Sequence, residues 1–194
     1  MTSWSIGSPG GEVLLLEHFG PADLQRLRAM CYALAIRAGL DEGRALRLVF
    51  AINEGTANAV LHGDGGGQLT LLRTTAGRLI AQVVDNGPGL TAPIPDDLPP
   101  ADSPGGRGLW AARRMVDDMT LTTTDEGTTL RLEVAIARPE NDPWAGAGDF
   151  ARFVPRLASI LFEDYAPNRP GRNLLAMDWP PKLNDDEPGK LGPQ

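Results

Sequence analysis

Residues 48–63 constrain the fold most strongly, because they carry a single formally charged side chain, Glu54. They are predicted to lie in a helix that begins after the N-cap residue Asp41 and ends at Gly63. Apolar residues at a spacing of three to four form its predicted core face: Leu48, Val49, Ile52, Ala59 and Val60. A solvated helix carries several charges on its polar side, so this polar side is expected to contact something other than bulk water.

Glu54, Asn58 and His62 follow one another at intervals of four residues and therefore lie along one side of that helix. A carboxylate followed one turn later by an amide suits a general base, or a group that orients water, beside an oxygen ligand for Mg²⁺. Because Glu and Asn often occur at this spacing by chance, the pattern alone does not define a site.

The elements predicted around this helix are typical of an α+β fold. Strands are expected at 12–19, 68–75, 78–85, 119–124 and 128–136, and helices at 21–38, 42–62 and 106–118. The order β-α-α-β-β-loop-α-β-β predicts a two-layer α/β sandwich, in which helices cover one face of a mixed or antiparallel sheet.

Composition divides the chain into three parts. Residues 1–11 are rich in Gly and Ser and are predicted to be flexible, residues 12–139 contain the predicted domain, and residues 140–194 form a Pro-rich C-terminal extension. A short amphipathic helix is predicted near residues 155–164. Two interpretations of the extension stay open: it packs on the domain, or it binds a partner.

Charge and side-chain chemistry exclude several classes of function. With 18 Lys and Arg against 25 Asp and Glu, the net charge of -7 argues against direct nucleic-acid binding. Cys31, His18 and His62 are the only Cys and His residues, and they provide neither an intramolecular disulfide nor a thiolate zinc site. No signal peptide or membrane span is recognised. These features predict a cytoplasmic protein that binds no membrane.

A first glycine motif follows the strand predicted at residues 78–85. Asp85 ends this apolar strand, and Gly87 and Gly89 come shortly after it. A carboxylate at this position can accept a hydrogen bond from the exocyclic amine of a base, and the glycines let the backbone approach a ligand. A simple Asp-Asn-Gly turn is the alternative interpretation.

A second glycine motif, Gly105, Gly106 and Gly108 with Arg107 among them, precedes a predicted helix. Unpaired N–H groups and the helix dipole favour phosphate there, and Arg107 adds a positive charge. A hinge before a helix is the alternative. Residues 127–129, Gly-Thr-Thr, lie in the last hairpin, where they form a turn or present hydroxyl groups to a ligand.

Together these segments resemble the N, G1, G2 and G3 boxes of the GHKL, or Bergerat-fold, ATPases, which include histidine kinases and DNA gyrase B. The matching positions are Glu54, Asn58, His62 and Gly63, residues 85–89, residues 105–109 and residues 127–129. The compact size, the β-α-α start and the short loop between the G1 and G2 boxes are most similar to bacterial anti-sigma-factor serine/threonine kinases. The resemblance covers residues 12–137.

The resemblance implies ATP and Mg²⁺ as cofactors and a role for each matching residue. Glu54 would be the general base or water orienter, and Arg107 would be the catalytic cation near the γ-phosphate. Asn58 would be the Mg²⁺ ligand, and Asp85 would hold the adenine amino group. The other nucleotide contacts would come from Gly87, Gly89, Gly105, Gly106, Arg107, Gly108, Leu109 and Thr129.

The implied function is that of a protein serine/threonine kinase that binds a sigma factor and phosphorylates an anti-anti-sigma, STAS-like partner, in a partner switch that regulates transcription. The resemblance also admits a homodimer formed through the first strand or helix. One alternative is a nucleotide-binding anti-sigma or adaptor protein with little or no kinase activity. A detached histidine-kinase catalytic domain is less favoured, because neither terminal region contains a phospho-acceptor helix.

Overall fold

The computed structural model describes residues 10–89, 94–97, 99–100, 107–137 and 140. The strands are β1 (Gly11–Phe19), β2 (Gly67–Thr74), β3 (Arg78–Asp85), β4 (Asp118–Thr124) and β5 (Gly127–Ala135). The helices are α1 (Leu24–Ala38), α2 (Glu42–His62) and α3 (Arg107–Met115), and a short 3-10 turn, Pro21–Asp23, precedes α1. The predicted order of elements is confirmed.

Three predicted features lie outside the described residues. They are residues 1–9 of the flexible start predicted over residues 1–11, the glycines Gly105 and Gly106, and the extension beyond residue 140 with its helix near residues 155–164. Gly11, the last residue of the predicted flexible start, instead begins β1. Among the helices that the structure describes, none combines the length and the apolar character needed to span a bilayer.

A single five-stranded sheet, in the order β1-β2-β3-β5-β4, forms one layer of the domain. All four pairs of neighbouring strands are antiparallel. Helix α2 packs against β2, β3 and β5, and α1 and α3 pack against α2. The predicted two-layer α+β sandwich is confirmed, and its sheet is antiparallel rather than mixed.

The core lies between the two layers and follows from the periodicity of the sequence. Strand residues that alternate along the chain face the helices, and they are buried: Leu69, Leu71, Leu79, Ala81, Val83, Leu130, Leu132 and Val134. The predicted core face of α2 is confirmed at Leu48, Val49, Ile52 and Ala59, all at most 1% exposed, whereas Val60 is only partly buried.

Local signals set the ends of the first two helices. Gly39 ends α1 in the left-handed conformation, with φ of 108°, which glycine adopts without strain. Asp41 caps α2 as predicted, since its carboxylate accepts the backbone N–H of Arg44 at 3.0 Å. The two helices are thereby joined by a short connection, and α2 is directed across the sheet.

The helix predicted over residues 106–118 is too long. Helix α3 ends at Met115, and Asp118 instead pairs with Glu133 at the start of the β4–β5 ladder. The backbone N–H of Asp117 donates to the carbonyl of Glu133 at 3.0 Å. Because β5 takes the backbone groups that a further helical turn would use, the helix stops.

Candidate functional site

The second half of α2 forms one wall of a cleft above the sheet. The residues that line it come from α2, β3, α3 and the last hairpin: Gly55, Asn58, His62, Gly63, Val83, Asp85, Gly89, Leu109, Leu121, Thr128 and Leu130. The empty volume of this cleft is about 440 Å³, and that figure includes space open to solvent. Four leucine or valine side chains make the cleft mainly apolar.

The cleft brings together residues from all four predicted boxes, the last of them represented by Thr128. Asn58 and Asp85 face it from α2 and β3, and Gly89 and Leu109 complete it from the following loop and from α3. These residues are well separated in sequence, and the antiparallel sheet places them around one opening. Their convergence is the arrangement that the sequence motifs predict.

Asp85 is held in a fixed orientation at the end of β3. Its Oδ1 atom accepts the backbone N–H of Gly87 at 2.9 Å, so the carboxylate is anchored by the residue two positions on. Gly127 lies directly on the other side, where a Cβ atom would overlap the carbonyl oxygen of Asp85, and its φ is 140°. Only glycine fits this position, and the last hairpin therefore packs closely behind the acid.

Glu54 does not line the cleft but lies beside it, at the first turn of α3. A Cβ atom on Gly108 would overlap its Oε2 atom, so the carboxylate rests against the α3 backbone where a side chain is missing. Burial raises the pKa of Glu54 to about 7, and the hydrogen bond from the Asn53 amide, at 3.4 Å, lowers it by less. The carboxyl group therefore changes protonation near neutral pH.

Arg107 and Thr129 are not among the residues that line the cleft. Arg107, expected as the catalytic cation near the γ-phosphate, is 6% exposed at the start of α3. Thr129 pairs with Val84 and Thr122 in the sheet, and strand alternation turns it to the face opposite Thr128. Thr128, not Thr129, lines the cleft. The motif located the hairpin correctly, but which of the two threonines faces the cleft depends on the strand register.

Residues 94–97, a described part of the segment before α3, are held by that helix. The indole of Trp110 donates to the carbonyl of Asp96 at 3.2 Å, and Arg114 donates to the same oxygen at 3.2 Å. Arg113 donates to the Asp96 carboxylate at 3.1 Å. Trp110 is 4% exposed, so this large residue both anchors the segment around Asp96 and fills the core.

Sequence reasoning missed two residues next to the site, Asn53 and Arg28. Asn53 precedes Glu54 and is 1% exposed, and Arg28 is 3% exposed on α1. A polar amide on an apolar helix was one available signal. A second was an arginine that follows Leu27 in the apolar stripe of α1. Neither signal identifies the partner, because the two residues meet only in the folded domain.

Comparison with known proteins identifies a family through its sequence profile. The sequence profile of the histidine kinase-like ATPase domain matches residues 19–134. A histidine kinase domain from the blue-light activated histidine kinase of Erythrobacter litoralis EL346 is similar, with 20% identity and a TM-score of 0.41. The similarity covers 59% of this chain and 60% of that chain, so this chain spans less than two thirds of that relative. A search of curated proteins gives no significant match.

The profile match at residues 19–134 includes α1, α2, the whole cleft and α3, and it covers more than half of the 194 residues. Within it lie Asn58, Asp85 and Gly108, at the positions described above. The chain therefore belongs to the histidine kinase-like ATPase domain family.

Proposed function

We propose that this protein binds ATP with Mg²⁺ and transfers the γ-phosphate to a serine or threonine hydroxyl of a protein partner. The observation that carries the proposal is the cleft itself, which has an anchored carboxylate at one end and apolar walls. A second carboxyl group, that of Glu54, lies beside the cleft at the α3 start.

The apolar part of the cleft suits the adenine base. Val83, Leu121 and Leu130 offer apolar contacts to a planar base, and Asp85 can accept a hydrogen bond from its exocyclic amine. The carboxylate is an acceptor only, so it selects a base that presents a donor at that position. Thr128, which lines the same cleft, takes the supporting role that the motif predicted for Thr129.

Asn58 has the right chemistry for a Mg²⁺ ligand. It lines the cleft on α2 with a carboxamide oxygen, and Mg²⁺ prefers oxygen ligands supplemented by water and phosphate. Within the described part of the chain, no cluster of three His, Cys, Asp or Glu side chains forms a complete metal cage. The ion would therefore be held jointly by Asn58 and the nucleotide, and it would neutralise phosphate charge.

Glu54 suits the role of general base. In the transfer, the acceptor hydroxyl oxygen bonds to the γ-phosphorus, the bond from that phosphorus to the ADP oxygen breaks, and the hydroxyl proton passes to Glu54. A base with a pKa of about 7 is ionised for part of the population at neutral pH and still binds a proton. We expect the transfer rate to rise with pH and to level off above about 7.

The biological role that fits this activity is a partner switch. In this proposal the protein binds a sigma factor or a STAS-like anti-anti-sigma protein, and phosphate added to the latter weakens its binding by introducing charge at the interface. The support is the similarity of the four boxes and of the compact β-α-α start to bacterial anti-sigma-factor kinases.

The test compares two site variants with matched surface variants. Each protein is incubated with γ-labelled ATP, Mg²⁺ and STAS-like proteins encoded nearby, while nucleotide affinity is measured separately. Asp85→Asn should weaken ATP binding by roughly 10–100-fold, which corresponds to the free energy of a hydrogen bond to a charged group. Glu54→Ala should retain most affinity and lose roughly 10²–10⁴-fold in transfer rate. The exposed substitutions Asp64→Asn and Glu126→Ala should change neither quantity.

The outcomes separate the candidate functions. Failure of the wild-type protein to bind ATP would overturn the proposal. ATP binding without transfer would instead favour a nucleotide-binding anti-sigma or adaptor protein, and the burial of Arg107 is the observation that favours this second candidate. Transfer that survives Glu54→Ala would show that another group acts as the base.

A further inference from the structure

A chain of buried polar groups leads from α1 to Glu54. The Nη1 atom of Arg28 donates to the Oδ1 atom of Asn53 at 2.9 Å. The Nδ2 atom of the same amide donates to the Oε1 atom of Glu54 at 3.4 Å. Arg28 and Asn53 are 3% and 1% exposed. Such buried polar groups are costly unless they are hydrogen-bonded, so the contacts constrain one another.

Arg28 determines which way the amide of Asn53 faces. A guanidinium group has donors and no acceptor, so only the oxygen of the amide can face it at 2.9 Å. The amide nitrogen must then point the other way, toward Glu54. A flipped amide would place two donors together and would leave the Glu54 carboxylate without this hydrogen bond.

The contact between Asn53 and Glu54 does not follow from their adjacency. Successive side chains on a helix point about 100° apart and do not normally face each other. Here Glu54 reaches back so that its Oε1 atom meets the amide, while its Oε2 atom rests against Gly108. The carboxylate is thus held between α2 and α3 by two different contacts.

We propose that Asn53 is a positioning residue that aims the Glu54 carboxylate, and that buried Arg28 on α1 fixes the direction of its amide. The relevance to phosphoryl transfer rests on the proposed function of Glu54, but the placement itself does not. The 3.4 Å distance is long for a hydrogen bond, and such bonds in a free enzyme tighten once the substrate is bound. Asn53 touches no substrate and acts only through Glu54.

The decisive variant is Asn53→Asp. It keeps the shape of the side chain and the acceptor for Arg28, and it replaces the donor that faces Glu54 with a charged acceptor. We expect kcat for phosphoryl transfer to fall by roughly 10–100-fold, as for a misplaced catalytic group, while KM for ATP stays nearly constant. Gln25→Glu, the same chemical change at an exposed position on α1, should leave kcat unaltered. Unchanged kcat in Asn53→Asp would overturn the proposal.

A second measurement does not depend on activity. In a Glu54→Gln background, the amide introduced at position 54 can donate to the carboxylate introduced by Asn53→Asp. The hydrogen bond between the two positions then re-forms with its direction reversed. Asn53→Asp should lower Tm by roughly 3–6 °C with Glu54 present and by less than half as much with Glu54→Gln. Equal losses in the two backgrounds would overturn the positioning role.

The two measurements distinguish failure of the proposed function from failure of the positioning role of Asn53. If the wild-type protein transfers no phosphate but the unfolding cycle shows coupling, the proposed function fails and the placement stands. If Asn53→Asp does not fold, Arg28→Met tests the same link without adding charge. It removes the donor that orients the amide, and the proposal then requires a lower kcat at unchanged KM.

Discussion

The two halves of α2 differ sharply, although they form one continuous helix. Residues 44–53, the anchored half, are buried on every side. Residues 54–62, the site half, alternate between buried and partly exposed positions, and Leu61 reaches 70%. The anchored half is enclosed by the sheet, α1 and α3, so its residues serve packing. The site half borders the cleft, where side chains remain available to a ligand.

A charged side chain is compensated to different degrees in the two halves. Arg44, 2% exposed, donates to the Asp117 carboxylate at 3.1 Å and to the backbone carbonyls of Ala135 and Ala137. Its charge is compensated, and it ties α2 to the end of the sheet. Glu54 is desolvated, and the structure describes one long hydrogen bond to it. Of these two charges, that of Arg44 is compensated by its partners, whereas that of Glu54 is unfavourable and lies at the site.

The largest difference should come from one substitution made in both halves. Leu48→Ala, at a fully buried position, should lower the free energy of unfolding by roughly 2–5 kcal/mol, because it removes transfer energy and leaves a cavity. Leu61→Ala, at 70% exposure, should change it by at most ~0.5 kcal/mol. Urea unfolding measures both. Similar losses at the two positions would contradict the division of α2.

The anchored charge can be removed by Arg44→Met. We expect the free energy of unfolding to fall by about 3 kcal/mol, because the carbonyl groups and Asp117 lose a buried donor. The control is Arg26→Met, since Arg26 is about half exposed in its ion pairs with Glu17 and Asp23. That change should cost under ~1 kcal/mol. If Arg26→Met lowered the free energy of unfolding as much as Arg44→Met, the special role of Arg44 would be contradicted.

Removing the charge of Glu54 in the site half should stabilise the domain, whereas removing that of Arg44 should destabilise it. The pKa of Glu54 is about 7 in the folded protein, above its ordinary value of 4.5, so the folded state binds this proton more tightly. Its contribution to stability is therefore fully present below pH 4.5 and is lost as the pH rises to about 7.

Glu54→Gln should consequently raise the free energy of unfolding by about 2–3 kcal/mol at pH 8 relative to the wild type, and by little at pH 4. Denaturant unfolding of both proteins across this pH range measures the effect. A gain that does not depend on pH would point to packing rather than to the carboxyl charge.

The smallest effect on stability is expected where α3 meets the site half. A Cβ atom in Gly108→Ala would overlap the Oε2 atom of Glu54, the end of a flexible side chain that can move aside. We expect a loss of roughly 1 kcal/mol or less in stability and roughly a 10-fold loss of transfer rate. Gly10→Ala, where the new atom meets only ordinary contacts, is the control. A normal transfer rate in Gly108→Ala would show that the position of Glu54 is not critical.

The sequence predicted much of this domain because its signals are local. The N-cap Asp41 and the apolar spacing of α2 follow from neighbouring residues. The acid Asp85 lines the cleft together with Asn58, as the motifs indicated. The end of α3 was predicted three residues too late, since pairing of Asp118 with Glu133 in β5 depends on a distant segment.

The site predictions failed where a side chain's direction decides the outcome. Thr128 rather than Thr129 lines the cleft, because a strand turns successive residues to opposite faces. Arg107 was expected near the γ-phosphate, and the structure buries it at the start of α3, outside the lining of the cleft. A sequence motif identifies residue types and spacing, and it does not specify burial.

By itself the sequence determined which segments form helices and strands, and which acids, amides and glycines a nucleotide cleft would need. Only the tertiary structure decided how Glu54 is tuned. Its pKa depends on burial against Gly108 and on the amide of Asn53, which Arg28 orients. Desolvation and hydrogen bonding act over a few ångströms in space, and folding sets those distances by bringing together residues far apart in the chain.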